Sequence, residues 1–371
     1  MKNILIFKLI NIILLISNNK KRKSKNIKII MIFVKSKPMK NIRLLLLLVI
    51  FTTLSIAQVK PTKYIKAITK ESLKTNLDII ASDEMEGRDT GSKGQKKAGE
   101  YLISQYAKAG IAFPEGASDY YQRIPSAFLN SRRKNSLPDS ENVWAYIKGS
   151  EKPEEVLVIS AHYDHIGVEK GEIYHGADDD GSGTVAVLEI AKAFQKAKEN
   201  GHGPKRSILF LHVTGEEHGL LGSKYYSENP LFPIANTITD INIDMIGRRD
   251  DLHKDSNNYV YLIGSDYLSS DLYTICEEAN KSFVNINLDY TFNDRNDPNR
   301  FYYRSDHYNF AKKGIPSVFL FNGVHADYHK PTDTADKIEF DALAKRAQLA
   351  FAIAWELANR DNRPVVDKSG N

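Results

Sequence analysis

The segment "EVLVISAHYDH", residues 155–165, carries the clearest signal of the fold class. Residues 155–162 have the largely apolar composition of a central strand that is buried on both faces of a sheet. Two histidines and an aspartate follow at positions 162, 164 and 165. Because ligands bind beyond the carboxyl ends of the strands in open α/β sheets, the segment predicts a central strand and a binding site at its end.

Further strand-like segments lie at 142–149, 207–215, 237–247, 259–265 and 316–321. Helix-like segments lie between and around them, at 66–80, 91–110, 184–198, about 218–228, 268–281 and 339–360. This alternation predicts an α/β fold with helices on both faces of the sheet. We expect one domain, because no linker-like stretch divides it, and irregular structure over residues 114–140.

Charge is distributed unevenly along the 371 residues. Residues 1–57 contain 12 Lys or Arg and no Asp or Glu, whereas the remainder has 39 basic and 46 acidic side chains, a net charge of −7. The folded part therefore has no composition that predicts nucleic-acid binding. Cys276 is the single cysteine, which excludes an intramolecular disulfide.

Residues 1–57 have the features of a targeting segment. From Met39, a short cationic stretch precedes an apolar run over residues 44–51, and a small-x-small pattern ends at Ala57. The apolar run is short for a membrane span. We predict a signal segment cleaved after Ala57, a secreted or periplasmic catalytic domain of residues 58–371, and no membrane contact of that domain. A true start at Met39 and a longer leader or N-terminal anchor remain open alternatives.

Histidines and carboxylates follow five predicted strands or the loops between them. They are His162, Asp164, His165, Asp178, Asp179, Asp180, Glu216, Glu217, His218, Asp244, His325, Asp327, His329 and Asp333. Carboxylates crowd together where a multivalent cation neutralises them, and histidine with carboxylate suits Zn²⁺. Two metal ions that share one carboxylate would use one ligand from each strand end.

Five motifs, "ISAHYDHIG", "GADDDGSG", "GEEHGLLGS", "NIDMIG" and "DYHKPTDT", resemble the co-catalytic zinc aminopeptidase family. Glutamate carboxypeptidase and glutaminyl cyclase are relatives of that family. The resemblance extends over roughly residues 65–360. It implies a three-layer α/β/α sandwich around a mixed, mainly parallel sheet, with two zinc ions per chain. Residues 111–141 are too few for the protease-associated insert that many members carry.

The resemblance also implies residue roles. It places zinc ligands at His162, Asp178, Glu217, Asp244 and His329, with Asp178 as the shared ligand. Glu216 resembles the general base, and Asp164 resembles the carboxylate that orients His162. The family often has a cis peptide at Asp179.

Other residues near these motifs have no single assigned role. His307 is either a supporting residue or a substrate contact. A tyrosine often polarises the scissile carbonyl in this family, and the four candidates are Tyr302, Tyr303, Tyr308 and Tyr328. No ligand position of the family matches His165, His218 or His325, so we expect these three to be structural or to face the substrate.

The sequence therefore predicts a secreted di-zinc aminopeptidase that acts on peptide substrates, with its oligomeric state open. Glutaminyl cyclisation is an alternative that would use one zinc ion. A carboxypeptidase for acidic dipeptides is another, and it would need a basic pocket that could come from Arg248, Arg249, Arg295, Arg300 and Arg304. A non-catalytic receptor-like domain is disfavoured, because no metal ligand is missing.

Overall fold

The computed structural model describes residues 61–131 and 136–369, so the leader and the cleavage position at Ala57 lie outside the described residues. An eight-stranded sheet has the order β1-β2-β6-β3-β7-β10-β8-β9, and β4 and β5 form a separate hairpin. The strands are β1 Tyr121–Ile124, β2 Ser140–Ile147, β3 Lys152–His162, β4 Gly167–Glu169, β5 Glu172–Tyr174, β6 Arg206–Val213, β7 Thr237–Ile243, β8 Tyr259–Ile263, β9 Asn287–Asp289 and β10 Ser317–Phe321.

Helices surround this sheet. They are α1 Thr62–Ile65, α2 Lys70–Ile80, α3 Lys93–Lys108, α4 Ser126–Leu129, α5 Gly183–Glu199, α6 Leu221–Glu228, α7 Ser270–Ala279, α8 His307–Ala311 and α9 Phe340–Asn359. Short single turns of 3₁₀ or π geometry connect several of them. Within the described ranges, no helix combines the length and apolar character that a membrane span requires.

Four neighbouring strands at the centre of the sheet, β6, β3, β7 and β10, run parallel. The outer strands β2 and β8 run antiparallel to their inner neighbours. The carboxyl ends of the four central strands therefore meet along one edge, and His162 is the last residue of β3 there. This mixed arrangement confirms the predicted α/β class.

Alternate side chains of the central strands pack against different helix layers. On one face, Val156, Val158 and Leu209 form a buried cluster with Tyr226 of α6 and Phe310 of α8. On the other face, Phe194 of α5 packs against Phe210 of β6 and against Phe351 and Trp355 of α9. The two layers exclude water from both faces, which explains the apolar strands.

Element boundaries differ from prediction where capping or pairing decides them. Helix α2 begins at Lys70 rather than 66, because Thr69 forms a capping box with Ser72. The stretch 114–140 contains β1 and α4, whereas irregular structure was predicted there. β1 has four residues and pairs with β2 at the sheet edge, so its alternation is too short to recognise in the sequence.

Gly222 allows α6 to pack closely against the end of β6. Its N–H donates to the Thr214 carbonyl at 2.7 Å, and the Asn142 amide donates to its carbonyl at 3.0 Å. A Cβ atom here would lie 2.2 Å from the Thr214 carbonyl oxygen and 2.5 Å from Asn142 Oδ1. This close approach fixes the loop between β6 and α6, which contains Glu216 and Glu217.

We expect Gly222→Ala to lower the free energy of unfolding by about 1–3 kcal/mol, because the added methyl overpacks a rigid backbone contact. Glycine to alanine in a helix ordinarily stabilises by about 0.5–1 kcal/mol. Gly203→Ala is the control, since its Cβ would meet Lys198 at an ordinary 3.4 Å. Urea denaturation of both variants checks the prediction, and an unchanged Gly222→Ala midpoint would contradict it.

Candidate metal centre

The carboxyl ends of the central strands deliver the predicted residues to one place. His162 ends β3, Asp244 follows β7, and Glu216 and Glu217 follow β6. The loop after β10 supplies His329, and residues 177–182 form a turn that leads into α5. Parallel strands thus bring together side chains that are far apart in the chain.

A first group of ligand-type atoms forms around His162. Its Nε2 lies 3.3 Å from Asp179 Oδ1 and 3.6 Å from Asp244 Oδ1. Ligand-type atoms of His162, Asp180 and Asp244 all lie within 4.8 Å of one another. These residues are buried, so the group has the donors and spacing of a metal site.

A second group forms around Glu217. Glu217 Oε1 lies 2.8 Å from His165 Nδ1, and Oε2 lies 3.1 Å from His329 Nε2. Asp179 Oδ2 also lies 3.1 Å from His329 Nε2. The sequence analysis assigned His165 no ligand position, although its place at the end of β3 was a signal for one.

Asp179, rather than Asp178, lies between the two groups. Its Oδ1 faces His162, whereas its Oδ2 faces His329. The Asp178 carboxylate is directed elsewhere: Oδ1 accepts a hydrogen bond from the Gly247 N–H at 2.6 Å, and Oδ2 lies 3.1 Å from His325. This geometry differs by one residue from the position that the resemblance implies for a shared ligand. The peptide between Asp179 and Asp180 is cis.

We name the five carboxylates at this edge the acidic cluster: Asp179, Asp180, Glu216, Glu217 and Asp244. Burial, and then the Asp244 charge, raises the pKa of Asp180 well above its usual range. Burial also raises the pKa of Glu216 well above its usual range, with a further contribution from Glu217. Burial opposes the charged form of His329, but hydrogen bonds to Asp179 and Glu217 outweigh it and raise the pKa to about 10.

The acidic cluster fits zinc. Among the described residues, several buried atoms of these groups have no well-aligned hydrogen bond even where another ligand-type atom lies close, namely His162 Nε2, both ring nitrogens of His165, Asp179 Oδ2, Asp180 Oδ2 and Glu217 Oε1. Buried polar atoms normally have partners, and a cation held between these atoms would supply one. Histidine and carboxylate donors without cysteine suit Zn²⁺.

Asp164 supports the centre through contacts with three residues. Its backbone oxygen lies 3.1 Å from His162 Nδ1, and its carboxylate Oδ1 lies 3.8 Å from the same atom. Oδ1 also accepts the Glu216 N–H at 3.2 Å, and Oδ2 accepts the Thr90 hydroxyl at 2.8 Å. Asp164 therefore fixes both His162 and the start of the Glu216 loop, which extends the orienting role implied by the resemblance.

Arg88 and Asp333 hold the turn at residues 177–182. Asp333 Oδ2 accepts the backbone N–H groups of Asp178 and Asp179 at 3.0 and 3.2 Å. Arg88 is fully buried and donates to four backbone carbonyls, those of Ile80, Tyr163, His175 and Gly176. The sequence analysis placed Asp333 only among the candidate ligand-type residues and gave Arg88 no role, since a lone arginine has no distinctive spacing.

The remaining histidines lie outside the two groups. His218 pairs with Asp89 at 2.9 Å, and His325 pairs with Asp178. His307 is buried beneath Phe319, with ring centroids 5.0 Å apart, and burial lowers its pKa to about 3. A supporting role in the core therefore matches the position of His307 better than a substrate contact.

A pocket opens beside the acidic cluster, and Asp179, Glu216 and Asp244 are among the residues that line it. The other lining residues are Met245, Phe301, Arg304, Phe319, Phe321, Val324 and Tyr328. The pocket thus brings ligand-type carboxylates and apolar side chains together.

Known proteins share this sequence pattern and fold. The family model described as Peptidase family M28 matches residues 142–354. A probable leucine aminopeptidase of Trichophyton verrucosum is 26% identical over 310 residues, which cover 81% of this chain and 76% of that protein.

Two solved structures show the same fold. A zinc aminopeptidase from Bacillus subtilis has a TM-score of 0.60 at 15% identity and covers 81% of this chain and 98% of its own. A glutaminyl cyclase from Porphyromonas gingivalis has a TM-score of 0.59 at 18% identity, with coverage of 77% and 97%. These matches confirm the zinc-exopeptidase type of sheet.

We expect Asp179→Asn to lower zinc affinity by more than about 100-fold, because it removes the negative charge that faces both groups and replaces one of the two oxygens with an NH2 group that cannot bind a metal ion. Loss of an outer partner alone costs about 10–100-fold. Asp178→Asn is the matched control: the amide oxygen still accepts the Gly247 N–H, so zinc affinity should change less than about tenfold. Equilibrium dialysis with metal analysis measures both. The reverse order of the two variants would restore Asp178 as the shared ligand.

Proposed function

The chain belongs to peptidase family M28, and from this premise we propose that it is a zinc-dependent aminopeptidase that removes apolar residues from the N-termini of peptides. One observation carries the proposal: Asp179 lies between two groups of ligand-type atoms, with Glu216 beside them in a pocket. The leucine aminopeptidase name of the Trichophyton relative supports the substrate class.

We propose two zinc positions that share Asp179. His162 and Asp244 would hold one ion, and Glu217 and His329 the other, with His165 and Asp180 next to them. Zinc at these positions would polarise the scissile carbonyl and lower the pKa of a water molecule. The protein holds the ligands ready: Ser305 donates to Asp244 Oδ2 at 2.6 Å, and Asp164 fixes His162.

Glu216 is the proposed general base. It lines the pocket but lies outside both groups of closely spaced ligand atoms. Its backbone N–H donates a hydrogen bond to Asp164, which fixes the backbone from which the side chain extends. In this position Glu216 takes the proton of the attacking water and passes it to the leaving amine.

The pocket explains a preference for an apolar N-terminal residue. Phe301, Phe319, Phe321, Met245 and Val324 offer apolar surface to the first side chain. Against these five apolar side chains, a charged group would lose hydration without gaining a partner. The free α-amine is a cation, and the acidic cluster at the other end of the pocket attracts it.

Tyr328 is the tyrosine we propose to contact the scissile carbonyl. Among the four candidates, it is the one that lines the pocket. Its ring stacks on His329, with centroids 3.8 Å apart. Tyr302, Tyr303 and Tyr308 instead pack against one another. A hydroxyl beside a metal ligand is well placed to donate to an oxygen that gains charge in the transition state.

Two alternatives predict different chemistry on this fold. Glutaminyl cyclisation would need one zinc ion, whereas two groups of ligand-type atoms favour two. An acidic-dipeptide carboxypeptidase would need a basic pocket, but Arg248 is bound to Asp327 at 2.9 Å and Arg249 to Glu339 at 2.9 Å. Arg304 is the single one of the five arginines that lines the pocket.

We also propose that the enzyme is exported. The support is the pattern of residues 1–57, with its cationic start, apolar run and cleavage pattern at Ala57. N-terminal sequencing of the protein released from cells tests this, and an uncleaved leader would contradict it.

We expect chelation to abolish hydrolysis of Leu-p-nitroanilide and added Zn²⁺ to restore it. We expect Glu216→Gln to lower kcat about 10²–10⁴-fold with zinc content unchanged, because the substitution removes proton transfer and keeps shape. Metal analysis by mass spectrometry, with kinetics on the same samples, checks both. One zinc per chain with cyclisation of glutaminyl peptides and no amide hydrolysis would overturn the aminopeptidase proposal.

We expect Tyr328→Phe to lower kcat about 10²-fold with KM nearly unchanged, the effect of losing one donor to a developing oxyanion. Tyr308→Phe is the control, because Tyr308 packs against Tyr302 and Tyr303 away from the pocket. Steady-state kinetics on Leu-p-nitroanilide separates the two variants. Equal kcat values for Tyr328→Phe and wild type would show that the Tyr328 hydroxyl takes no part in the reaction.

A further inference from the structure

Arg304 places a positive charge in a pocket whose other end is strongly negative. It lines the pocket together with members of the acidic cluster. Its guanidinium carbon lies 5.0 Å from the centroid of the Phe301 ring, and Nη2 lies 3.5 Å from the Tyr328 hydroxyl oxygen. The two aromatic side chains thus border the cation at the mouth of the pocket, where the residue is exposed.

The charge of Arg304 is not neutralised by the protein. Among residues 61–131 and 136–369, no carboxylate oxygen lies within 4.0 Å of its guanidinium nitrogens, the distance that defines the ion pairs of Arg248 and Arg249. Arg304 is exposed, so water is the partner of its charge when no ligand is bound. A ligand carboxylate at this position would replace that water with a charge-assisted hydrogen bond.

We propose that Arg304 is a specificity-determining residue that binds a carboxylate of the peptide substrate, an inference that rests on the proposed aminopeptidase function. The planar guanidinium matches a carboxylate with two parallel hydrogen bonds. In the proposed binding mode, the α-amine occupies the acidic end and the first side chain lies on the apolar floor. Arg304, beside Tyr328, then faces a part of the substrate other than the α-amine and the apolar side chain.

A peptide can present that carboxylate in two ways. The C-terminal α-carboxylate of a dipeptide follows the scissile bond directly, which would make short peptides good substrates. An acidic side chain of the first residue would instead enter the pocket itself. Both groups are carboxylates that Arg304 could bind. Pairs of substrates that differ in one carboxylate show which of the two it binds.

The test compares kcat/KM of zinc-loaded wild type and Arg304→Gln on two substrate pairs. Leu-Ala and Leu-Ala-amide differ in the C-terminal charge, and Glu-Ala-amide and Gln-Ala-amide differ in the charge of the first side chain. We expect Arg304→Gln to lower kcat/KM about tenfold for the charged member of one pair, with the neutral member within about twofold, since the site is exposed and partly screened.

Two further variants sharpen the result. Arg300→Gln is the matched control, because Arg300 stacks on Tyr303 at 4.8 Å and does not line the pocket; it should leave all four values unchanged. Arg304→Lys keeps the charge but loses the planar fork, so its loss should be intermediate. Raising NaCl from 0.05 to about 0.5 M should reduce the wild-type advantage of the charged substrate.

The outcomes distinguish the two proposals. If wild type cleaves the amides and Arg304→Gln lowers both members of each pair equally, Arg304 does not read a carboxylate and this inference is wrong. If zinc-loaded wild type cleaves none of the four peptides, the aminopeptidase proposal fails, and this inference fails with it. Loss confined to Leu-Ala identifies the C-terminal carboxylate, and loss confined to Glu-Ala-amide identifies the side chain.

Discussion

Electrostatic repulsion within the acidic cluster is the constraint that the surrounding structure must meet. Two like charges about 4 Å apart repel by about 1 kcal/mol in water and about 4 kcal/mol near a protein surface, and five carboxylates meet at this edge. Backbone donors accommodate part of the charge, since Asp180 Oδ1 accepts the N–H groups of Gly183 and Met245. The histidines balance part of the remaining charge, and the proposed zinc ions would balance more of it. A parallel sheet is suited to this task, because its strand ends project into one place from a rigid support.

Three fully buried arginines show how the loops around that support are held. Arg88, Arg206 and Arg346 each donate to several backbone carbonyls. Arg346, for example, binds the carbonyls of Ile246, Arg248, Asn257 and Tyr259. Burial lowers the pKa of Arg88 to about 10, which still leaves it charged at neutral pH. Arg88 and Arg346 thus give the loops at the functional edge internal hydrogen-bond partners, whereas Arg206, at the start of β6, holds the end of α9 at the opposite edge.

The sequence predicts the central strands and most ligand positions, because both leave local signals. A strand buried on both faces must be apolar, and ligands must follow it, so β3 and His162 were found together. No local signal indicated that Asp179 is the aspartate between the two groups. Three adjacent aspartates cannot be told apart from the sequence, because the backbone path of the turn determines which one faces His162. His165 was similarly ambiguous. Arg88 donates hydrogen bonds to backbone carbonyls. Any residue type can supply a backbone carbonyl, so these contacts leave no pattern in the sequence.

The ligand-type residues are spread widely along the chain, from His162 at the end of β3 to His329 after β10. Each becomes useful only when four strands have paired and the loop with Asp333 has closed over the turn at 177–182. Long-range pairing of this kind is slow compared with local folding. A chain still being synthesised, or one truncated before β10, therefore lacks His329 of the second group and Asp333, which holds the turn that contains Asp179. The ligand-type residues can come together only after the chain is complete through this loop.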